Sequence, residues 1–512
     1  MLLLGAGIGT AIVVLAAMML ISGGLPQTAV QIAPAGMPIR LALDPLAASF
    51  LLLAPGMTLV PLSLAGIVVT LSAANGFTLA IGLLMLGGLG ASRPAAVAAV
   101  CFVVALGFAG SVSDFAAIRA MPPDGWRATA VLLLTLAGAA ATASFSPALA
   151  AYATLRLLFD LCGAGQPFWW GVPLLVGGSI AATIVALRAA LSDTLHDVAS
   201  HAAQHQFGLA VTGLGVALLA RAVDLPLVTG HALSAAWLAL VCHVLCRTLL
   251  LRCSEAVESG AGTRRLDRLG GVIHRMPVTA GVWLAGLFSV AVLPPGLGFA
   301  AFWLLFQSLL EVARIGGFGL GLLITAVTIL IGLSVGLVAL AALRLAAVAL
   351  LGRPRTPRAA VADEAPRESQ LGLLGLAALI GLLGVMPGLA LLPAFGWTNG
   401  VATVSPLGLR AGFAMPGYAS LFVAALVGIA WVVLARLRRP LPARREPAWS
   451  GGFAAPPPWM PFGDPATQLR AASFVAPLHA ISRALPSVDP LPKLLTRWHE
   501  GLRRAISALV TT

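Results

Sequence analysis

Six side chains set the problem this sequence poses. Arg156, Arg247 and Arg344, with His205, His231 and His243, lie inside runs of apolar residues long enough to cross a bilayer. A charge at the bilayer centre costs about 3 kcal/mol or more, so such residues are candidates for moving or stabilising charge. The histidines are the titratable members, since an unperturbed imidazole changes charge near physiological pH. His205 has His201 one turn before it and His196 nine residues before it, and His243 lies one turn before Arg247. A plainer reading stands beside the relay: His201 and His205 simply hydrogen-bond across helices, and His243 does the same. Arginine keeps its proton in proteins, so it anchors water and anions but is no hopping site. Asp160, one turn after Arg156, is expected to neutralise it, because a buried unpaired charge is expensive. Glu311 and Arg314 read as an interfacial pair near a helix end.

Other chemistries find little support. Cys242, His243 and Cys246 share part of one helical face, but no second ligand pair has matching spacing, and buried thiols commonly pack as apolar groups. The five cysteines imply no disulfide framework. There is no Cys-x-x-Cys cluster motif, no Gly-rich nucleotide loop and no catalytic-triad spacing. No catalytic, cofactor-binding or metal-binding residue is therefore assigned.

The elements that must position these residues are membrane helices. Hydrophobic residues make up 59% of 512 and charged residues 10%, and the mean hydropathy is +0.98, which excludes a soluble domain of this length. Continuous apolar runs argue against a transmembrane barrel, whose strands alternate. Candidate spans fall near 2–22, 46–72, 77–92, 95–113, 127–144, 146–162, 169–190, 204–221, 229–252, 278–296, 298–314, 318–351, 371–396 and 417–438. The expectation is an all-α polytopic membrane protein of about 12–14 spans, some broken. The run Met1 to Ser22 lacks a basic n-region and reads as a first span rather than a leader. Pro55 and Pro61 break or halve the segment 46–72. A break near Gly332 or Gly336 is expected in 318–351, which is longer than a bilayer core is thick.

Two polar connections, Glu255 to Met276 and Arg353 to Glu368, read as solvent loops. The spanning domain would cover 1–438, followed by an Arg/Pro-rich linker and tail over 439–490. Residues 491–512 read as an amphipathic helix, with Leu494, Leu495, Trp498, Leu502, Ile506 and Leu509 set against Lys493, Arg497, Arg503 and Arg504. The net charge of +13 comes mostly from arginines in loops and tail, where retention on the cytoplasmic side and anionic lipid account for it without nucleic acid.

One set of motifs carries a resemblance. His243-Val-Leu-Cys-Arg247, Thr263-Arg-Arg-Leu-Asp-Arg-Leu-Gly-Gly271, His274-Arg-Met-Pro-Val-Thr279 and Leu293-Pro-Pro-Gly-Leu-Gly-Phe299 follow one another in order. Around them lie Asn75-Gly-Phe-Thr78, the run through Arg344 to Leu351-Gly-Arg-Pro-Arg355, and the tail pieces Ala448-Trp-Ser-Gly-Gly-Phe453 and Ser473-Phe-Val-Ala-Pro477. The whole, over about residues 40–480, resembles the proton-conducting, antiporter-like membrane subunits of complex I and its hydrogenase relatives, most of all hydrogenase-4 component B or formate hydrogenlyase subunit 3. The resemblance implies an antiporter-like fold with broken helices, and a relay of lysines, histidines and a glutamate along the membrane midplane.

At the relay positions the chain departs from that pattern. Gly82-Leu83-Leu84 stands where the family has a Trp-Glu pair, and Arg156, Arg247 and Arg344 stand where it has lysines. His205 falls where it has a glutamate, the region between Trp126 and Arg156 is shorter, and the one lysine in the chain is Lys493. Three readings of the arginines stay open: drift with charge kept for structure, transport with fixed arginine and mobile histidine plus water, and a purely structural subunit. The proton-pathway candidates are Arg156, Asp160, His201, His205, His231, His243, Arg247 and Arg344. The function implied is an integral-membrane subunit of a complex-I-like or hydrogenase-type oxidoreductase, contributing proton translocation or a structural role in the membrane arm. It would hold no cofactor itself, leaving Fe–S, Ni–Fe or flavin groups to other membrane-arm and peripheral subunits. Its place would be the inner (plasma) membrane. The alternative is a stand-alone cation/proton antiporter; a membrane-embedded lipid enzyme is disfavoured, since no carboxylate or histidine cluster has enzyme-like spacing at a membrane edge.

Overall fold

The computed structural model describes residues 30–32, 39–41, 44–57, 92–110, 118–119, 124–143, 146–162, 166–315, 317–394, 397–398, 409, 417–437, 462, 471–478 and 480. The expected spans 2–22 and 77–92, most of 46–72 beyond Met57, the 491–512 helix and nearly all of the linker lie outside them, as do the motifs at Asn75 and Ala448.

The described residues are helical apart from two isolated bridges, Thr194 to Arg265 and Leu409 to Tyr418, and a short antiparallel ribbon, β1 (Val30–Ile32) against β2 (Ile39–Leu41), with Gln31 opposite Arg40. The main helices are α1 (Pro45–Met57), α2 (Ser92–Ala109), α3 (Gly125–Ala143), α4 (Pro147–Thr154), α5 (Gly171–Leu191), α6 (Leu195–Ala222), α7 (Pro226–Ala261), α8 (Pro277–Val290), α9 (Leu297–Ile315), α10 (Phe318–Leu345), α11 (Arg367–Val385) and α12 (Ser420–Leu437). A π-helical turn, Leu155–Leu161, continues α4, and another, Ala346–Leu350, continues α10. Among the described residues seven helices are long and apolar enough to cross a membrane.

The centre is the antiparallel pair α5 and α6, with α7 against the other side of α6. Glycines let α5 and α6 meet backbone to backbone. A methyl group added at Gly178 would stand 2.5 Å from the Thr212 nitrogen, at Gly208 2.7 Å from the Ala182 Cα, and at Gly215 2.3 Å from the Leu175 nitrogen. Such small-residue seams drive association where lipid removes the hydrophobic incentive. The periphery is apolar and open: Phe318, Ile329 and Leu333 project from α10, and Ser420 is the one buried residue of α12, as expected for helices facing lipid or a neighbouring subunit.

Two expected spans prove to be one. α8 starts at the face carrying the long loops, where Met276 packs by Gly260. It ends deep inside, where the Val290 carbonyl accepts from Gln206 Nε2 at 3.2 Å. Gln206 is eleven residues into α6, roughly 16 Å from its start. α9 resumes at Leu297 from that depth. α10 then runs from the opposite face back to the loop face, passing His205 at Ser334 and ending beside Asp193. Thus α8 and α9 are halves of one broken span, interrupted at Ala291 to Gly296, where Pro294 and Pro295 remove two backbone donors.

α10, by contrast, is unbroken. The expected interruption at Gly332 or Gly336 is absent; helix continues through both to Leu345. A glycine in a helix costs about 1 kcal/mol, whereas freeing backbone groups in hydrocarbon costs several, so the ladder holds. The chain turns instead at Gly352, whose φ is +83°.

The two polar connections are docked rather than free in solvent. Gly271 N donates to Leu351 O (2.9 Å), Leu195 N to Arg264 O (2.8 Å) and Leu266 N to Asp193 O (3.0 Å). Glu364 caps the half-helix α8: its Oε1 accepts from Val278 N (2.6 Å) and Thr279 N (3.2 Å), and its Oε2 from Thr279 Oγ (2.7 Å). Loss of such a cap costs about 1–2 kcal/mol. Glu364→Ala is therefore expected to lower the thermal midpoint of the purified protein, and an unchanged midpoint would show that the carboxylate does not hold α8.

Candidate functional site

The polar candidates are spread across the membrane from one face to the other. Nearest the face opposite the loops, the π-turn after α4 places Arg156 and Asp160 beside the start of α1. Arg156 Nη1 donates to Asp44 Oδ2 (2.5 Å) and Asp160 Oδ2 (2.6 Å), and Nη2 to Asp44 Oδ1 (2.8 Å) and Tyr152 Oη (3.2 Å). The expected Arg156–Asp160 pair is thus present, with Asp44 added. Arg119 grips Asp160 from outside through Nε (3.1 Å) and Nη2 (2.7 Å). Arg221, at the end of α6, donates to Phe159 O (2.5 Å) and lies 4.3 Å from the Phe159 ring centre. A cavity of about 460 Å³ opens here, lined by Asp44, Arg156, Asp160, Arg221, Asp224 and Thr229 among others. His231 is buried two residues beyond Thr229.

At mid-depth lies His205, fully buried, with Nε2 3.0 Å from Ser334 Oγ. Ser334 Oγ already donates to Ile331 O (2.7 Å), so it accepts from His205. The histidine then carries its hydrogen on Nε2, and Nδ1 is a bare acceptor, buried with no hydrogen-bond partner. Gln206 beside it spends its amide on the broken span and leaves Oε1 buried and unpartnered. His243 Nδ1 donates to Ala203 O at 2.9 Å and packs against Phe207. Cys242 turns its thiol to Cys246 (3.8 Å) and Ser289 (3.6 Å), away from any shared ligand geometry with His243.

Toward the loop face, His201 does not meet His205. Its Nδ1 lies 3.2 Å from Ser192 Oγ, which itself donates to Arg188 O. Arg247 is half-buried, its Nε lacks a hydrogen-bond partner, and among the described residues no carboxylate forms a salt bridge with it.

Arg344 has a different office from its neighbours. It is 1% exposed. Its Nη1 donates to Ala190 O and Ser192 O (2.7 Å each), Nη2 to Asp193 Oδ1 (2.8 Å) and Nε to Ala471 O (2.9 Å). Four of its five N–H groups are spent on fastening α5, α10 and the tail, so geometry makes it a clasp.

Several members of the site were missed from sequence. Asp44 had a signal: an acid immediately before Pro45 and an apolar run is a helix start, and its Oδ1 does accept from Ala47 N at 2.8 Å. Ser334, Gln206 and Tyr152 had none, because their roles arise from partners on other helices. The pair Glu311 and Arg314 is found at 3.5 Å.

Residues 48–332 match the transmembrane family described as NADH:quinone oxidoreductase/Mrp antiporter. The chain belongs to that family. Formate hydrogenlyase subunit 3 of Escherichia coli K12 is 30% identical over 231 residues, 45% of this chain and 38% of that protein. Hydrogenase-4 component B of the same organism is 25% identical over 279 residues, 49% of this chain and 42% of that protein. The matched part thus spans about two fifths of the length of these relatives. A chain of the archaeal membrane-bound sulfane sulfur reductase, a respiratory membrane complex, superposes with a TM-score of 0.66 at 17% identity, covering 97% of this chain and 90% of its own. At that identity the likeness speaks for the fold alone.

Proposed function

We propose that this antiporter-like chain serves as an integral-membrane subunit of a hydrogenase-type or complex-I-like oxidoreductase in the plasma membrane. Redox chemistry would reside in partner subunits. The observation that carries the reading is the buried acceptor at His205 Nδ1, one residue from the glutamine that meets the broken span of an antiporter-family fold. A broken helix admits water and frees backbone groups at mid-membrane, and Nδ1 is where an arriving proton would bind. His243 and Arg247 extend the polar route toward the loop face. That face carries Arg252, Arg264, Arg265, Arg268, Arg275, Arg353, Arg355, Arg358 and Arg367, and on the excess of basic residues it is the cytoplasmic one. Arg156 and Arg344 are fixed charges in this scheme.

The test is proton flux in proteoliposomes holding the parent complex. Flux is expected to fall to the leak level in His205→Ala and to rise in Arg247→Lys, since lysine releases a proton where arginine does not. Equal flux in His205→Ala and wild type would remove the histidine route. Absent wild-type flux that appears in Arg247→Lys would make the subunit a scaffold with a silenced pathway. Copurification tests the alternative of a stand-alone antiporter: hydrogenase-like or quinone-reductase-like partners are expected with the chain, and isolation of a transport-active chain alone would favour the antiporter.

A further inference from the structure

The vestibule at the face opposite the loops supports an inference that stands whether or not protons move. Two carboxylates from distant parts of the chain converge on a single nitrogen, Arg156 Nη1. The Tyr152 hydroxyl accepts from Nη2, and the guanidinium carbon lies 5.4 Å from the Tyr152 ring centre, within cation–π range. The arginine side chain is sealed at 3% exposure, while Asp44 and Asp160 remain 25% and 30% open toward the cavity. Arg156 Nε is buried with no hydrogen-bond partner, so the site grips the far end of the guanidinium and ignores its stem. Arg119 fixes the Asp160 carboxylate from the other side.

We propose that Asp44, Asp160 and Tyr152 form a binding site for a planar, guanidinium-type monovalent cation, and that the chain fills it with its own Arg156. The acceptors recognise the charged head, and the cavity beside them gives a free cation access once the tether is cut. In the wild-type protein the site is self-occupied, which closes the vestibule to free cations.

The experiment uses the full chain in lipid nanodiscs and compares wild type with Arg156→Ala and Arg156→Met. Methionine keeps an unbranched apolar stem where alanine leaves a void. Thermal midpoints are measured in low concentrations of guanidinium chloride, and in sodium and tetramethylammonium chloride at equal ionic strength. Guanidinium is expected to raise the midpoint of both variants and leave wild type unmoved, and the gain is expected to vanish when Asp44→Asn is added. Should a variant fold poorly, guanidinium present from membrane extraction onward is expected to restore its folded yield. The proposal is overturned if guanidinium does no more than sodium, if it stabilises wild type equally, or if both variants stay unfolded in its presence.

Discussion

Arg344→Ala is expected to leave the protein short of about 3–5 kcal/mol, the scale on which a buried charged donor is missed when one partner is removed. Total stabilities of folded domains are on the order of 5–15 kcal/mol, so little folded material should survive extraction. The argument rests on what is left behind. The buried Ala190 and Ala471 carbonyls and the part-buried Ser192 carbonyl lose their donor together, and each buried orphan costs about 1–3 kcal/mol. Asp193 is 47% exposed and regains water, so the cost lies in the carbonyls. Arg344→Lys keeps the charge but presents one compact head in place of a fork, and an intermediate yield is expected. Size-exclusion profiles of the detergent-solubilised proteins read this directly. A monodisperse alanine variant with a wild-type midpoint would show that the four bonds contribute nothing, and would return Arg344 to the list of pathway groups.

The second large effect is expected at Gly215→Val. The nearest atoms to any side chain there are backbone: the Leu175 nitrogen at 2.3 Å and its Cα at 2.8 Å, with the Gly171 oxygen at 2.9 Å. No rotamer relieves a clash with a main chain, so α5 and α6 must separate. Separation would also break the contacts at Gly178 and Gly208 and displace His205 from Ser334. The expected outcome is loss of folded protein, or, if some folds, loss of whatever flux the wild-type complex supports. Gly177→Ala supplies the comparison, because nothing lies within 4 Å of a methyl group at that position. Equal behaviour of the two variants would refute close backbone packing as the reason for these glycines.

Much of the fold was legible in hydropathy alone. The expected segments near 127–144, 169–190 and 417–438 match α3, α5 and α12 within a few residues, since a long apolar run in this composition has few other fates. The joining of α8 to α9 was not legible, because two apolar runs flanking a proline pair read alike whether the chain reverses or continues. Depth decides, and depth is known through Gln206 and Val290. The site was legible in part. Rarity picked out the buried charges, and the Arg156–Asp160 pairing follows from helical spacing. Spacing could not say that His201 and His205 turn to different helices, nor that Arg344 faces a tail residue 127 positions later. The glycine seam gave no periodic signal that a lipid-facing glycine would not also give.

The tail contact has a consequence for how the protein comes into being. Ala471 receives Arg344 on its carbonyl, while its amide donates to Asp267 at 2.5 Å. Translation proceeds from the amino end, and earlier parts fold before later ones exist. When residue 437 has been made, every membrane helix described above is in being, yet Arg344 still lacks one acceptor and Asp267 its donor. Entry into the membrane and completion of the tertiary structure are therefore separate events. The interval between them belongs to a chain whose buried Arg344 is still waiting for the last of its partners to be synthesised.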